Sequence, residues 1–64
     1  MKTKIIAERL VEARGKRTQK EIATEAGISQ STYAMYETGK RRPTDENKIK
    51  LAVVFGKTVQ ELFF

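Results

Sequence analysis

Gly27 to Pro43 reads GISQSTYAMYETGKRRP. Ser29 stands where a helix N-cap belongs, and Gly39 sits where the chain can turn left-handed after the last turn, so the stretch predicts a helix running from about Gln30 to Thr38. At roughly 100° per residue, Gln30, Ser31, Ala34, Met35 and Thr38 share an arc of about 140°, while Ser29, Tyr33, Tyr36 and Glu37 fall on the opposite side. One face is therefore small, polar or flexible and carries no carboxylate. The other is bulky and core-directed, and the helix runs out into Lys40, Arg41 and Arg42.

Upstream, Thr18-Gln19-Lys20-Glu21 has the form of a capping box, in which hydroxyl and carboxylate reciprocally satisfy free backbone N–H groups. It opens a short helix with Ile22, Ala23 and Ala26 on one side, closed by Gly27. Only Gly27-Ile28-Ser29 separates this helix from the next, too little for a long antiparallel hairpin but suited to a near-perpendicular helix-turn-helix. Ala23 is small where the two helices approach, and Ile28 can plug the corner.

Further out, a first helix is expected after Thr3, with Ile6, Leu10 and Ala13 on one stripe and an end near Gly15. Downstream, Pro43 and Thr44 reset the chain, and Asp45 and Glu46 lie in the first turn of a fourth helix, where the dipole favours negative charge. Its apolar residues form two stripes, Ile49, Ala52 and Val53 in one and Leu51, Val54 and Phe55 in the other. Coverage on both sides is expected, and with it a central place in the core. After Gly56, Thr58-Val59-Gln60-Glu61 offers a second capping box for a final short helix holding Leu62, Phe63 and Phe64. Five short helices without alternating strand patterns make a compact all-α domain, a single unit spanning residues 1–64 with the helix-turn-helix at about 18–38.

With 64 residues, the chain is one small domain, and it has neither cysteine nor histidine. Thiolate and imidazole zinc sites, cysteine nucleophiles and histidine acid–base chemistry are thereby excluded. The 8 carboxylates sit mostly at caps or on helix surfaces, so no enzyme, metal or cofactor is expected. No apolar run is long enough for a membrane span, and the N-terminal stretch is no secretory signal. The 13 Lys+Arg give a net charge of +5. Such a balance favours polyanionic partners through a salt-sensitive field.

Taken in order, Thr18-Gln19, Glu21-Ile22-Ala23, Gly27-Ile28-Ser29-Gln30-Ser31 and Tyr36-Glu37-Thr38-Gly39-Lys40, with Pro43 behind them, resemble the phage-repressor and Cro type of DNA-binding domain, the Xre family of helix-turn-helix regulators. The likeness extends through the first and fourth helices to Val59-Gln60-Glu61-Leu62-Phe63. It implies a lambda-repressor-like five-helix fold and a cytoplasmic, bacterial or phage-encoded regulator. That regulator would bind double-stranded DNA as a homodimer on a pseudo-palindromic operator, as a repressor.

Under that resemblance the bland face of the third helix is the reader. A glutamine amide both donates to and accepts from adenine, a serine hydroxyl bonds several bases, and apolar groups touch thymine methyls. Gln30, Ser31, Ala34 and Met35 are the expected base contacts. Phosphate contacts position rather than specify, and they are expected from Gln19 with the amino end of its helix, and from Thr32, Tyr33, Thr38, Lys40, Arg41 and Arg42. The tyrosines Tyr33 and Tyr36 are expected mainly in the core, with hydroxyls reaching the rim. The family pairs the glutamate at Glu37 with an arginine of the first helix, here Arg14, although the link from Arg14 to Thr18 is shorter than its common form. The family often builds its dimer from the last helix, which points to Leu62, Phe63 and Phe64. Two other readings stay open at this stage: an antitoxin that regulates its own promoter while binding a small toxin, and a protein-interaction module that keeps the scaffold without DNA binding.

Overall fold

A computed structural model describes residues 3–64 of the chain. Lys2, to which the sequence assigns no specific role, lies outside the described residues. The elements are α1 (Thr3–Arg14), α2 (Gln19–Ala26), α3 (Gln30–Glu37), α4 (Asp45–Phe55) and α5 (Val59–Phe63). No strand occurs among the described residues.

The helix boundaries follow local chemistry. Thr18, Ser29, Thr44 and Thr58 are extended N-caps, each accepting a hydrogen bond from the backbone N–H three residues on. Thr58 and Glu61 form the full reciprocal box: Thr58 N–H donates to Glu61 Oε1 at 2.9 Å and Glu61 N–H to Thr58 Oγ1 at 3.0 Å. At α2 only half of the expected box forms. Glu21 N–H reaches Thr18 Oγ1 at 3.0 Å, but the exposed Glu21 carboxylate does not fold back, and the cap is complete without it.

Gly27 adopts φ 70° and ψ 33°. In that left-handed conformation its N–H donates to Thr24 O at 3.2 Å and the Ile28 N–H to Ala23 O at 2.9 Å, satisfying the last carbonyls of α2. A residue with a Cβ adopts that conformation only at a cost. This sharp exit, together with the Ser29 cap, sets α3 across α2 and leaves Ile28 packed against the core.

The largest fully buried side chains are Leu10, Ile22, Tyr33, Leu51 and Leu62. Each comes from a different helix, so the core is a five-way junction in which each such side chain contributes about 1.5–3 kcal/mol. That geometry corrects the expectation of a central α4. Its Leu51 and Ala52 are buried, but Ile49 is 59% and Val53 76% exposed, because α4 packs on α2 and α5 from one side only. A place on the buried face goes instead to Lys48, whose stem is covered while its ammonium lies 3.7 Å from Asp45 and 4.9 Å from the Phe64 ring centroid.

Candidate nucleic-acid interface

Three different attachments fix α3 on its inner side. Tyr33 is fully buried. One turn on, Tyr36 is also buried, and its hydroxyl oxygen accepts from Asn47 Nδ2 of α4 at 2.9 Å. At the C-terminal end Glu37 is the acceptor hub. Arg14 Nε donates to its Oε2 at 2.7 Å, Arg14 Nη2 to its Oε1 at 3.1 Å, and Gln19 Nε2 to the same Oε1 at 2.9 Å. Arg14 Nη1 continues to Arg17 O at 2.7 Å. Side-on arginine–carboxylate pairing of this kind has strict geometry as well as charge.

Burial pushes the Glu37 carboxyl upward, but the hydrogen bonds from Arg14 and Gln19 outweigh it and hold the group below its ordinary value. The buried Tyr33 hydroxyl faces this carboxylate without reaching it in hydrogen-bond geometry, and it has no hydrogen-bond partner among the described residues. Burial first, and the adjacent Glu37 carboxylate second, push that phenol well above its usual range.

With these groups inside, α3 turns Gln30 and Ser31 outward, both exposed, and places Ala34 and Met35 half-buried between them and the exposed Thr38. Among the described residues the Gln30 side chain makes no hydrogen bond, so its amide is free to meet a partner. Ser29 Oγ donates to Thr32 Oγ1 at 2.7 Å, which leaves the Thr32 hydroxyl hydrogen unused. Thr38 Oγ1 instead donates to Met35 O at 3.2 Å and must rotate before it can donate outward. Gly39, at φ 75°, turns the chain past the helix end, and Lys40, Arg41 and Arg42 follow in exposed positions. A neutral hydrogen-bonding face is thus bordered at one end by three exposed cations.

Two expectations need correction. Tyr33 is 0% exposed and cannot offer its hydroxyl to a phosphate; it is a core residue. Leu62 and Phe63, at 1% and 3% exposed, are core as well, because the short α5 folds them under α1 and α4. Phe64 alone of that trio faces outward. Gln19 is half-buried at the start of α2, and its bond to Glu37 ties that helix end to the end of α3.

Sequence reasoning missed Asn47, whose position in the first turn of α4 resembles any solvated polar residue. It also missed Arg17, whose guanidinium donates to Arg14 O and Ala13 O and lies 5.6 Å from the centroid of the Phe55 ring. An arginine three residues past the end of α1 is the one local sign that it could cap those carbonyls.

The pattern of the family described as helix-turn-helix matches residues 6–62. Among curated proteins, the cryptic phage CTXphi transcriptional repressor RstR of Vibrio cholerae serotype O1 (strain ATCC 39315 / El Tor Inaba N16961) is 41% identical over 59 residues, covering 89% of this chain and 53% of that protein. The chain therefore spans about half the length of the curated relative it matches. No solved structure matches.

Proposed function

The chain belongs to the helix-turn-helix family, and on that premise we propose that it is a DNA-binding transcriptional regulator, a repressor that binds a pseudo-palindromic operator as a homodimer. The observation that carries the proposal is the outward face of α3. Its exposed residues donate and accept hydrogen bonds, it holds no carboxylate, and it ends in three exposed cations. An α-helix with such a face fits the major groove, where amides and hydroxyls discriminate base pairs. The relative from Vibrio cholerae is a transcriptional repressor, which supports the same direction.

In this reading Gln30 is the principal base reader, Ser31 assists it, and Ala34 and Met35 supply apolar contact to thymine methyls. Thr32, Thr38, Lys40, Arg41 and Arg42 hold the phosphates on one side. On the other, the free N–H groups that begin α2 face a phosphate beside Gln19, whose amide is oriented by Glu37. Two protomers would set their α3 helices in successive major grooves about 34 Å apart.

Selection of bound duplexes from a random pool tests the proposal directly. The expected outcome is a two-fold symmetric consensus with half-site centres about 10 base pairs apart. Recovery of no consensus at low salt would remove sequence-specific DNA binding from consideration.

A further inference from the structure

A tyrosine hydroxyl placed in a core normally finds a hydrogen-bond partner. The Tyr33 hydroxyl has none among the described residues, although the side chain is fully buried. It lies beside the Glu37 carboxylate, one turn further along the same face of α3. Occupancy keeps the two from bonding. Glu37 Oε1 already accepts from Arg14 Nη2 at 3.1 Å and from Gln19 Nε2 at 2.9 Å, two donors for the two lone pairs of one carboxylate oxygen. Arg14 is anchored twice more, by Nε to Glu37 Oε2 at 2.7 Å and by Nη1 to Arg17 O at 2.7 Å. Gln19 has no such second hold: its bond to Glu37 is the sole hydrogen bond of its side chain among the described residues, and it stands half-buried at the first position of α2. Of the two donors on Oε1, Gln19 is the one able to leave.

We infer that Tyr33 is a positioning residue for the DNA-bound state: when the Gln19 amide turns from Glu37 to a phosphate, the Tyr33 hydroxyl donates to the vacated Oε1. The inference rests on the reading of the amino end of α2 as a phosphate contact and deepens it. A phosphate seated on the N–H groups that begin α2 offers Gln19 an anionic acceptor that no arginine already holds. Tyr33 itself never touches DNA. The exchange keeps the number of hydrogen bonds on the buried Glu37 carboxylate constant, and the hydroxyl that was idle becomes paired. Both groups have the protonation this requires. Burial, with Glu37 beside it, leaves the phenol its proton, and against burial the Arg14 hydrogen bond holds Glu37 ionised.

The test is a pair of double-mutant cycles on the 64-residue chain, one without DNA and one with it. In urea, Tyr33→Phe alone removes an idle hydroxyl, so the folding constant should stay level or rise. In a Gln19→Ala background Oε1 is permanently open and Tyr33 already bonds to it, so the same substitution should lower the folding constant about tenfold. On duplexes the pattern reverses. Tyr33→Phe alone should weaken binding to half-site and random duplexes alike by about tenfold, as loss of a phosphate contact does, and in the Gln19→Ala background it should cost nothing further. A ring that merely packs α3 would give the same loss in both backgrounds. Circular dichroism melts establish which variants fold, and if the double variant does not, the wild-type and Tyr33→Phe titrations decide alone. Unchanged duplex affinity in Tyr33→Phe, or equal effects of that substitution with and without Gln19, overturns the inference, while half-site binding by the wild type leaves the DNA-binding reading standing. A folded wild type that binds no duplex at low salt overturns both, since no phosphate then draws Gln19 away.

Discussion

Replacing Glu37 by glutamine should be the most damaging isosteric change in the molecule. The carboxylate receives hydrogen bonds from Arg14 Nε, Arg14 Nη2 and Gln19 Nε2 at 2.7, 3.1 and 2.9 Å, and its side chain is 3% exposed. A glutamine amide has one acceptor oxygen, so in Glu37→Gln its NH2 group must face either Arg14 Nε alone or Arg14 Nη2 and Gln19 Nε2 together. Removing one partner of a fully buried pair costs about 3–5 kcal/mol. The Arg14 side chain is 22% exposed and keeps its bond to Arg17 O, which reduces the expected loss to about 2–3 kcal/mol. For a domain whose whole stability is roughly 3–10 kcal/mol, that is a large share. At about 4–8 °C per kcal/mol for a domain of this size, the midpoint should fall by roughly 8–24 °C.

The pH dependence supplies a sharper test. The folded Glu37 carboxyl is held below its ordinary value of 4.5. Its contribution is therefore fully present above the unfolded value and is lost as pH falls through the folded one. Thermal melts of wild type and Glu37→Gln from pH 7 to pH 3 should show their widest gap above about pH 5 and a closing gap below about pH 4.5. A gap below 1 kcal/mol at pH 7, or one that stays constant through the acid range, would refute the assignment of Glu37 as a charged hub.

Three other outcomes follow from the same geometry. Gln30→Ala, altered at an exposed position without internal bonds, should leave the melting midpoint in place. It should cost about 1–3 kcal/mol of discrimination at one base pair of the selected site, and equal losses on specific and random duplexes would argue against a reading role. Arg41→Ala should weaken binding to all sequences alike and reduce the slope of log affinity against log salt by about 0.9 per protomer; an unchanged slope would take Arg41 off the phosphates. Tyr33→Phe removes a buried hydroxyl that has no hydrogen-bond partner among the described residues, so urea denaturation should find the variant as stable as wild type or up to about 1 kcal/mol more stable. A loss above that size would mean that the phenol does engage Glu37.

What was legible in the sequence is what chain-local chemistry decides. Thr18, Ser29, Thr44 and Thr58 announce helix starts, and Gly27, Gly39 and Gly56 announce ends, because caps and left-handed turns involve only residues a few positions apart. The outward phase of Gln30 and Ser31 was readable for the same reason: periodicity assigns each residue to a side. Which side a neighbour then covers was not readable. Ile49 and Val53 have the same periodic signature as Leu51 and Ala52, and only the position of α2 and α5 leaves the first pair exposed. Lys48 and Phe63 illustrate the converse. A lysine stem becomes buried because the ring of Phe63 lies beneath its ammonium, at 6.0 Å, a meeting of α4 and α5 that no local pattern encodes.

The rotation of α3 about its own axis is where core and surface meet. The apolar ring of Tyr33, the Tyr36–Asn47 bond and the Glu37–Arg14–Gln19 cluster attach it to the core, to α4, and to α1 and α2 together. A rotation by one residue, about 100°, would break all of them at once and carry a carboxylate toward the outer face. The energy that orients the outward face therefore resides in residues that never form part of it. It follows that Gln30 and Ser31 can be exchanged for other polar residues with little effect on stability, so that sequence preference and folding are carried by opposite sides of the same eight-residue helix.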